Sequence, residues 1–461
     1  MRVLQAVISI IISWFLSSAY NLTVYESLSL ALSVFIVAMF VDNVGKKIVI
    51  IDIIGVLACI TWLVMPLFYY HYFTIDHYLS RLWNIYMYVP SDEYYGVVFW
   101  GTLALVLGLH FPFSNKNVLT ASEYLQQLKL NNHNFDSISK YLLAIGIFSL
   151  LVTPYVPSVL RQVFEVTGNF VFVAAFYAYY SNSLNKYLLV AVVVGLIIII
   201  SVQQGMFGKL VYIIMLASLI LMAIREKKLS FARKMSFMVA GIFLIIILQS
   251  VKEEFRKNTW YGYSGYTGYT GSKSGLFFDL IGQKIRNPSS VFGDEYSFYA
   301  LAARFNQGWL ISKAINYIPA KQPFVGPGPL TAAIAGGFIP RFLWPDKPES
   351  GGKANMLRYA GVKLTSVSMN VAVMGEAYGS FGRNGAVLFM FCFGLFYRWS
   401  FNKIMMIAIH YPTLLLWLPS IYVLAVVTEN DTLTLFNAFT KSVLMVWLFY
   451  VGFRKILKIN L

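Results

Sequence analysis

Basic side chains gather in one long stretch of an otherwise apolar chain. Between residues 251 and 370, fourteen lysines and arginines stand against seven acids, interleaved with Trp, Tyr and Phe. A guanidinium binds two phosphate oxygens at once, so arginines beside aromatic residues at a membrane face suit a phosphate-bearing lipid. The alternative is a solvated, mildly basic loop. We call residues 251–370 the outer segment.

Three basic residues of the outer segment accompany apolar helical patterns. Lys252 and Arg256 are four residues apart just after an apolar run, which places them on one helical face. Arg256 suits an interface anchor and a ligand equally well. Arg304 lies beside the apolar face of "EYSFYALAARFNQGWLISKAI", where an idle charge is expensive. We predict that Arg304 acts in catalysis and that Lys252 and Arg256 bind substrate.

The stretch "IPRFLWPDKPESGGK", from Ile339 to Lys353, predicts a rigid loop. Its three prolines forbid a regular helix and restrict the unfolded chain. We predict that the loop holds Arg341 for catalysis and that Trp344 and Lys347 contact substrate. By pattern alone, an ordinary rigid turn explains the stretch equally well, with Trp344 at the membrane interface and Lys347 paired with Asp346.

One acidic residue, Glu376, stands inside the apolar stretch "NVAVMGEAYGSFG". An ionisable residue in such a helix is a functional candidate, so we predict a catalytic role for it, as the base for an acceptor hydroxyl or as a clamp for an arginine. The glycines of the stretch leave one surface bare for close packing or for a sugar. Tyr378 is a predicted substrate contact. A structural alternative pairs Glu376 with an arginine, such as Arg341, to hold the loop down.

Residues that hold metals or act as nucleophiles are sparse. The outer segment has no D-x-D pair, the five histidines are scattered, and both cysteines, Cys59 and Cys392, lie in apolar runs. The sequence therefore does not indicate an acyltransferase or protease, which needs a His- or Cys-centred site. We predict a mechanism without metal or cofactor, in which Arg and Lys take the place of a divalent ion.

Membrane helices must position these residues. The chain of 461 residues is 58% hydrophobic and only 12% charged. No water-soluble domain needs so large a share of apolar residues. Runs of about 20 apolar residues predict an all-α polytopic integral membrane protein with about twelve transmembrane helices. The predicted spans are 3–20, 24–41, 48–70, 96–113, 141–157, 169–182, 187–204, 208–224, 235–250, 371–398, 404–427 and 435–452.

Lysine and arginine mark one side of this predicted bundle. Connections after even-numbered spans carry clusters such as Lys46 and Lys47, whereas "AYNLTVYE" and "TENDTLT" carry none. The positive-inside rule then places both termini in the cytoplasm and the outer segment outside. Three regions follow: an N-terminal bundle of about nine helices at 1–250, the outer segment, and about three helices at 371–461. Asp52, near a cytoplasmic end, is expected to be paired within the fold or to reach the interface.

The stretch "GFIPRFLWPDKP", followed by "MGEAYGSFGRNG", resembles the oligosaccharide repeat unit polymerases, the Wzy-type O-antigen and capsular polysaccharide polymerases. The resemblance is detailed from about Arg304 to Gly385 and elsewhere rests on hydropathy. It implies a GT-C-like membrane glycosyltransferase of the bacterial cytoplasmic (inner) membrane, with its active site facing outward. Its arginine roles fall on Arg341 by motif, on Arg304 more loosely and on Arg256 by position.

The implied substrate, as both donor and acceptor, is an oligosaccharide carried on undecaprenyl diphosphate. Other implied partners are the bilayer, a chain-length regulator and a flippase; no nucleic acid is implied. An O-antigen ligase or another lipid-linked glycosyltransferase would use the same donor, and the residues alone do not separate it from a polymerase. A glycan flippase, which is not an enzyme, should carry charges in several spans and an internal repeat, and the sequence shows neither.

Overall fold

The computed structural model describes residues 2–112, 121–130, 134–182, 185–205, 207–224, 229–261, 266–292, 295–341, 343–365, 369–455 and 458. These residues form α-helices and no strand. The helices of the N-terminal part are α1 Arg2–Tyr20, α2 Val24–Asn43, α3 Ile50–Ala58, α4 Met65–His71, α5 Tyr78–Trp83, α6 Ser91–Leu109, α7 Ala121–Leu130, α8 Phe135–Val152, α9 Ser158–Gly168, α10 Phe170–Tyr180, α11 Lys186–Gln204, α12 Gly208–Ala223 and α13 Phe231–Thr259.

The outer segment and the C-terminal part are also helical. The outer segment contains α14 Lys273–Arg286, α15 Ser289–Phe292, α16 Glu295–Phe305, α17 Gly308–Tyr317, α18 Gly328–Phe338 and α19 Lys353–Ala360. The C-terminal part contains α20 Ala372–Ala408, α21 Leu418–Tyr422 and α22 Thr432–Lys455. A π-helical turn, Cys59–Val64, joins α3 to α4, and 3₁₀ turns lie at Thr153–Tyr155 and Pro412–Trp417.

Eight helical stretches of the described residues are long and apolar enough to cross a membrane, in agreement with a multi-pass membrane protein. They are Arg2–Tyr20, Val24–Asn43, Ile50–His71, Phe135–Tyr155, Lys186–Gln203, Phe231–Thr259, Ala372–Ala408 and Thr432–Lys455. Four predicted spans are not among them. Two of these are helices of reduced length, α10 with 11 residues and α12 with 16 residues. A third, α6, has 19 residues but begins with the polar sequence Ser91–Glu93.

The fourth, the predicted span 404–427, is wrong as a continuous helix. The chain breaks there into the 3₁₀ turn at 412–417 and the short helix α21, and each has a proline within its first two residues. The segment still runs back along α22: Thr413 lies 2.7 Å from Tyr450, and the ring of Tyr422 lies 5.7 Å from that of Phe439. Residues 412–423 are buried, which shields the interrupted backbone from lipid.

Helix α20 folds back on itself at Gly382. This residue has φ 69° and ψ −172°, a conformation suited to glycine, and it separates the arms 372–381 and 383–408. The side chains of Met374 and Met390 both lie against Gly101, although a straight helix would hold these methionines about 24 Å apart. The predicted span 371–398 therefore contains a short arm and the start of a longer arm, joined at Gly382.

The short arm of α20 is tied to the outer segment. Backbone N–H groups of Val325 and Gly326 donate to the carbonyls of Gly379 and Ser380 over 2.9 and 3.1 Å. The kink frees these carbonyls from their own helix, and the loop before α18 satisfies them. The short arm, which carries Glu376, is thereby held against α18 and its preceding loop.

Two buried acids, Glu26 and Asp52, lie near opposite predicted sides of the membrane. Glu26, at the start of α2, accepts hydrogen bonds from Ser91, at the start of α6, and lies 3.2 Å from His71, at the end of α4. These three helix ends belong to connections predicted to share the outer side. Asp52 accepts from Asn43 over 2.7 Å and pairs with Lys47 over 3.4 Å, so its predicted pairing within the fold is confirmed.

The orientation of the bundle is directly testable. Short tags placed in "REKKLSFARK", residues 225–234, are expected to be cytoplasmic, and tags in "YGYSGYTGYTG", residues 261–271, are expected to be outside. Residues 225–228 and 262–265 lie outside the described residues. Labelling of intact cells with a membrane-impermeant reagent measures both positions. Labelling of the first tag and protection of the second would contradict the predicted topology.

Candidate functional site

Cations from two parts of the chain meet at the end of α13. Lys252 and Arg256 lie in the last two turns of this helix. Arg304, near the end of α16, lies within electrostatic range of Lys252. Its Nη2 donates to Oε1 of Glu429 over 2.8 Å. We call Lys252, Arg256 and Arg304 the cation cluster, and Glu429 is its acidic partner.

Within the cluster, Arg256 anchors the end of α11. Its Nε and Nη2 donate to the carbonyl of Gly205 over 3.3 and 3.1 Å, and its guanidinium lies 4.0 Å from the centre of the Trp260 ring. Gly205 follows the last residue of α11 with φ 60°. An arginine at this position satisfies a terminal carbonyl and complements the helix dipole. Of the two predicted roles for Arg256, the geometry favours the anchor.

Lys252 and Arg304 retain capacity for a ligand. Lys252 is half-buried and makes no hydrogen bond or ion pair with any residue in the described part of the chain. Arg304 is 38% exposed in its ion pair, and Glu429 is also held by Nε2 of Gln307 over 3.2 Å. Because an ammonium has three N–H donors and a guanidinium has five, both side chains can still bind an anion.

A cavity of about 290 Å³ lies between α13 and α14–α16, and none of the three cluster cations lines it. Gln249 lies one turn before Lys252 on α13, and Leu301 lies one turn before Arg304 on α16, so the cavity and the cations share two helices. The polar residues that line it are Gln249, Ser250, Glu253, Glu254, Lys257, Lys284, Tyr296 and Ser297. Equal numbers of acids and lysines leave the cavity near neutral, which suits an uncharged ligand rich in hydroxyl groups.

Arg341 closes the proline-rich loop on itself. Its Nη1 donates to the carbonyl of Pro345 over 3.3 Å, and its Nη2 donates to that of Pro348 over 3.4 Å. Trp344 N–H donates to Pro340 over 3.2 Å, which forms a turn inside the loop. The side chain of Arg341 is exposed. Both terminal nitrogens of the guanidinium thus bind backbone carbonyls of the same loop.

Lys347 fastens this loop to the C-terminal part. The residue is 6% exposed, and its Nζ donates to the Ile339 carbonyl over 3.1 Å and to Oδ1 of Asn437 over 3.3 Å. Burial, together with the nearby charge of Arg341, lowers the pKa of Lys347. The alternative pairing of Lys347 with Asp346 is wrong, because the ammonium points into α22. Trp344 is half-buried beside it.

Glu376 joins three helices of the protein. Its Oε1 accepts from Nδ2 of Asn355, on α19. Its Oε2 accepts from the backbone N–H of Thr432 over 2.9 Å and from the hydroxyl of the same residue, at the start of α22. Glu376 is 2% exposed. The alternative that pairs it with Arg341 is wrong, since Asn355 and Thr432 occupy both carboxylate oxygens.

The other predicted substrate contact on α20, Tyr378, is used inside the fold. It is 7% exposed, its hydroxyl donates to the Ile318 carbonyl over 3.2 Å, and its ring meets the Phe324 ring edge-on at 5.8 Å. These contacts hold the loop before α18 against the short arm of α20. Tyr378 therefore supports the short arm that carries Glu376 through contacts inside the fold.

The connection "TENDTLT" is the part of the site that the sequence analysis missed. Glu429 pairs with Arg304, whereas Thr432, three residues later, binds Glu376. Asp431 lies between them, 1% exposed, and accepts from Asn370 over 2.7 Å. This connection therefore links the cation cluster to the Glu376 network. Two acids in a short connection without lysine or arginine were the available signal.

Under the hypothesis of a polymerase, Arg341→Lys is expected to lower polymer synthesis by less than about tenfold, since an exposed contact is screened by solvent. Lysine keeps the charge but cannot reach both carbonyls. The measurement is polymer length on gels at matched protein level. Arg383→Lys, at an exposed position of α20, is the control. A loss of more than about tenfold would indicate instead that Arg341 contacts the substrate.

Glu376→Gln is expected to reduce the free energy of unfolding by about 1–3 kcal/mol, because an amide NH₂ would face the donors of Asn355 or Thr432. Thermal unfolding of the purified protein in detergent measures this loss, with Glu349→Gln, at an exposed position, as control. A variant that unfolds like the wild type but makes no product would show instead that Glu376 acts as the catalytic base.

Within the described ranges, no group of three or more His, Cys, Asp or Glu side chains could hold a metal ion.

Comparison with known proteins gives one match. No curated protein and no solved structure matches the chain. The family described as "Domain of unknown function (DUF8712)" matches residues 5–407, a range that contains the cation cluster and Glu376 but ends before Glu429. Because this match covers most of the chain, the protein belongs to the DUF8712 family.

Proposed function

We propose that this protein is a membrane glycosyltransferase that joins oligosaccharide repeat units carried on undecaprenyl diphosphate into a surface polysaccharide. The observation that carries the proposal is the cation cluster: Lys252 and Arg304 retain N–H donors. A cavity of about 290 Å³ lies along the same two helices. Cations suit the diphosphate of the donor lipid, and the cavity suits a sugar. The resemblance of "GFIPRFLWPDKP" to repeat unit polymerases supports the same reaction.

In the proposed reaction, a hydroxyl oxygen of the acceptor sugar attacks the anomeric carbon of the donor. The bond between that carbon and the diphosphate oxygen breaks, and the lipid diphosphate leaves with the electron pair. Lys252 and Arg304 stabilise the charge that develops on the leaving oxygen. A leaving group that is already a stable anion needs no proton, so the reaction requires only a base for the acceptor hydroxyl.

Glu429 is the better placed base. It is 30% exposed and lies 2.8 Å from Arg304, whereas Glu376 is buried and fully hydrogen-bonded. A donor phosphate competes with Glu429 for the guanidinium, and this competition releases the carboxylate to accept the hydroxyl proton. Glu376 then acts as a positioning residue: it holds Thr432, three residues after Glu429, and so orients the connection that carries the base.

The proposed setting is the outer face of the bacterial cytoplasmic membrane, within a GT-C-like architecture. Lys252 and Arg256 continue directly from a membrane-spanning helix, so the cluster lies where a polyprenyl lipid would present its diphosphate. This placement depends on the orientation predicted from the lysines and arginines of the connections.

Deletion of the coding sequence, followed by gel analysis of surface polysaccharide, tests the proposed function. Loss of long chains with retention of single capped repeat units is the expected result. Loss of all surface glycan, single units included, would identify a ligase or a flippase instead. An unchanged ladder of chain lengths would exclude all three functions.

A further inference from the structure

A second polar site lies where the C-terminal end of α6 meets α20. Gly108 of α6 and Gly394 of α20 pack there with their backbones in contact. The polar residues that follow them, His110 and Arg398, lie within electrostatic range of each other. Asn402 is four residues after Arg398 on α20, so it continues the same helical face.

Polar atoms of this site lack partners. In the part of the chain that the structure describes, Nε of Arg398, Nδ2 of Asn402 and Nε2 of His110 are buried, and none of them has a hydrogen-bond partner. Asn402 is only 7% exposed. Buried polar groups are rarely left unpaired, because each one has lost its bonds to water. Two of these residues, His110 and Arg398, lie within electrostatic range of each other, and Asn402 is one helical turn from Arg398, so together they indicate a polar ligand.

The nearby acid, Asp52, does not supply the missing hydrogen bonds. Asp52 lies within electrostatic range of His110 and Arg398, but its oxygens already accept from Asn43 over 2.7 Å and pair with Lys47 over 3.4 Å. Lys47 and Arg398 together outweigh its single negative charge. The site is therefore both positive and rich in donors, which suits an anion with several acceptor oxygens.

We propose that this crossing of α6 and α20 binds a phosphate group. Arg398 supplies the charge, and Asn402 and the Nε2–H tautomer of His110 donate hydrogen bonds to phosphate oxygens. Lys46 and Lys47 place the site toward the predicted cytoplasmic side, where basic pockets between membrane helices bind lipid head groups. The phosphate comes either from an anionic phospholipid of that leaflet or from the cytoplasm as free phosphate. The proposal does not depend on the glycosyltransferase reaction.

The test measures binding to the purified full-length protein in detergent, with phosphatidylglycerol, phosphatidylcholine and inorganic phosphate as separate probes. We expect saturable binding of phosphatidylglycerol or of phosphate, weakened at least tenfold by Arg398→Gln. Arg383→Gln, an exposed arginine of the same helix, is the matched control and should bind like the wild type. Binding of the anionic lipid alone identifies a head-group site, and displacement of that lipid by phosphate identifies a site for the free anion.

Two results would overturn the proposal. One is the absence of saturable binding of both anionic probes to the wild type, and the other is wild-type binding by Arg398→Gln. If Arg398→Gln fails to fold, Asn402→Leu replaces it, since this change removes the buried donor and no charge. A folded Asn402→Leu protein that binds phosphatidylglycerol and phosphate like the wild type would equally contradict the proposed site.

Discussion

Arg304→Lys is expected to lower polymer synthesis at least roughly tenfold, because lysine keeps the positive charge but loses the planar two-point contact with phosphate oxygens. The ion pair with Glu429, 2.8 Å in the wild type, can still form with lysine, so the fold should be retained. The measurement is incorporation of lipid-linked repeat units into polymer by purified protein, with melting temperature recorded in parallel.

Two companion variants make this experiment decisive. Lys252→Met removes a cluster cation that has no hydrogen-bond partner among the described residues, so activity should fall without a matching loss of stability. Arg383→Lys, on an exposed face of α20, should leave both quantities unchanged. Wild-type polymer synthesis by both Arg304→Lys and Lys252→Met would show that the diphosphate does not bind at the cation cluster.

Gly394→Ala is expected to destabilise the protein by about 1–3 kcal/mol, through the contact between α6 and α20. A methyl group at position 394 would meet the Leu105 carbonyl oxygen and would lie 2.9 Å from the Leu109 nitrogen and 3.0 Å from Cα of Gly108. These are backbone atoms of a packed helix, so the two helices must separate to admit the methyl group. Thermal unfolding in detergent, followed by size-exclusion chromatography, measures the loss.

The matched control is Gly241→Ala in α13. A methyl group there would have no neighbour within 4 Å. Alanine is the better helix former, so this variant should be as stable as the wild type or slightly more stable. Equal melting temperatures for Gly394→Ala and Gly241→Ala would mean that the contact between α6 and α20 is looser than the structure shows.

Hydropathy by itself determined most of the helices. A helix in lipid must be apolar along its whole length, so predicted spans such as 187–204 and 435–452 fall inside α11 and α22. The same rule failed at 404–427, where the apolar run is a broken segment buried against α22. Only the packing of the finished protein reveals that this backbone is shielded, because hydropathy measures composition and not the identity of the neighbours.

Residue type by itself also identified the chemically interesting side chains, since a cation or an acid in an apolar setting is conspicuous. It could not identify their partners. Arg304 meets Glu429 across 125 residues of chain, and Glu376 meets Thr432 across 56. Arg341, the candidate named by motif, binds its own loop instead. Hydrogen bonds and ion pairs act over a few ångströms, so only the tertiary fold, which brings distant segments to that distance, decided which of these groups face a ligand.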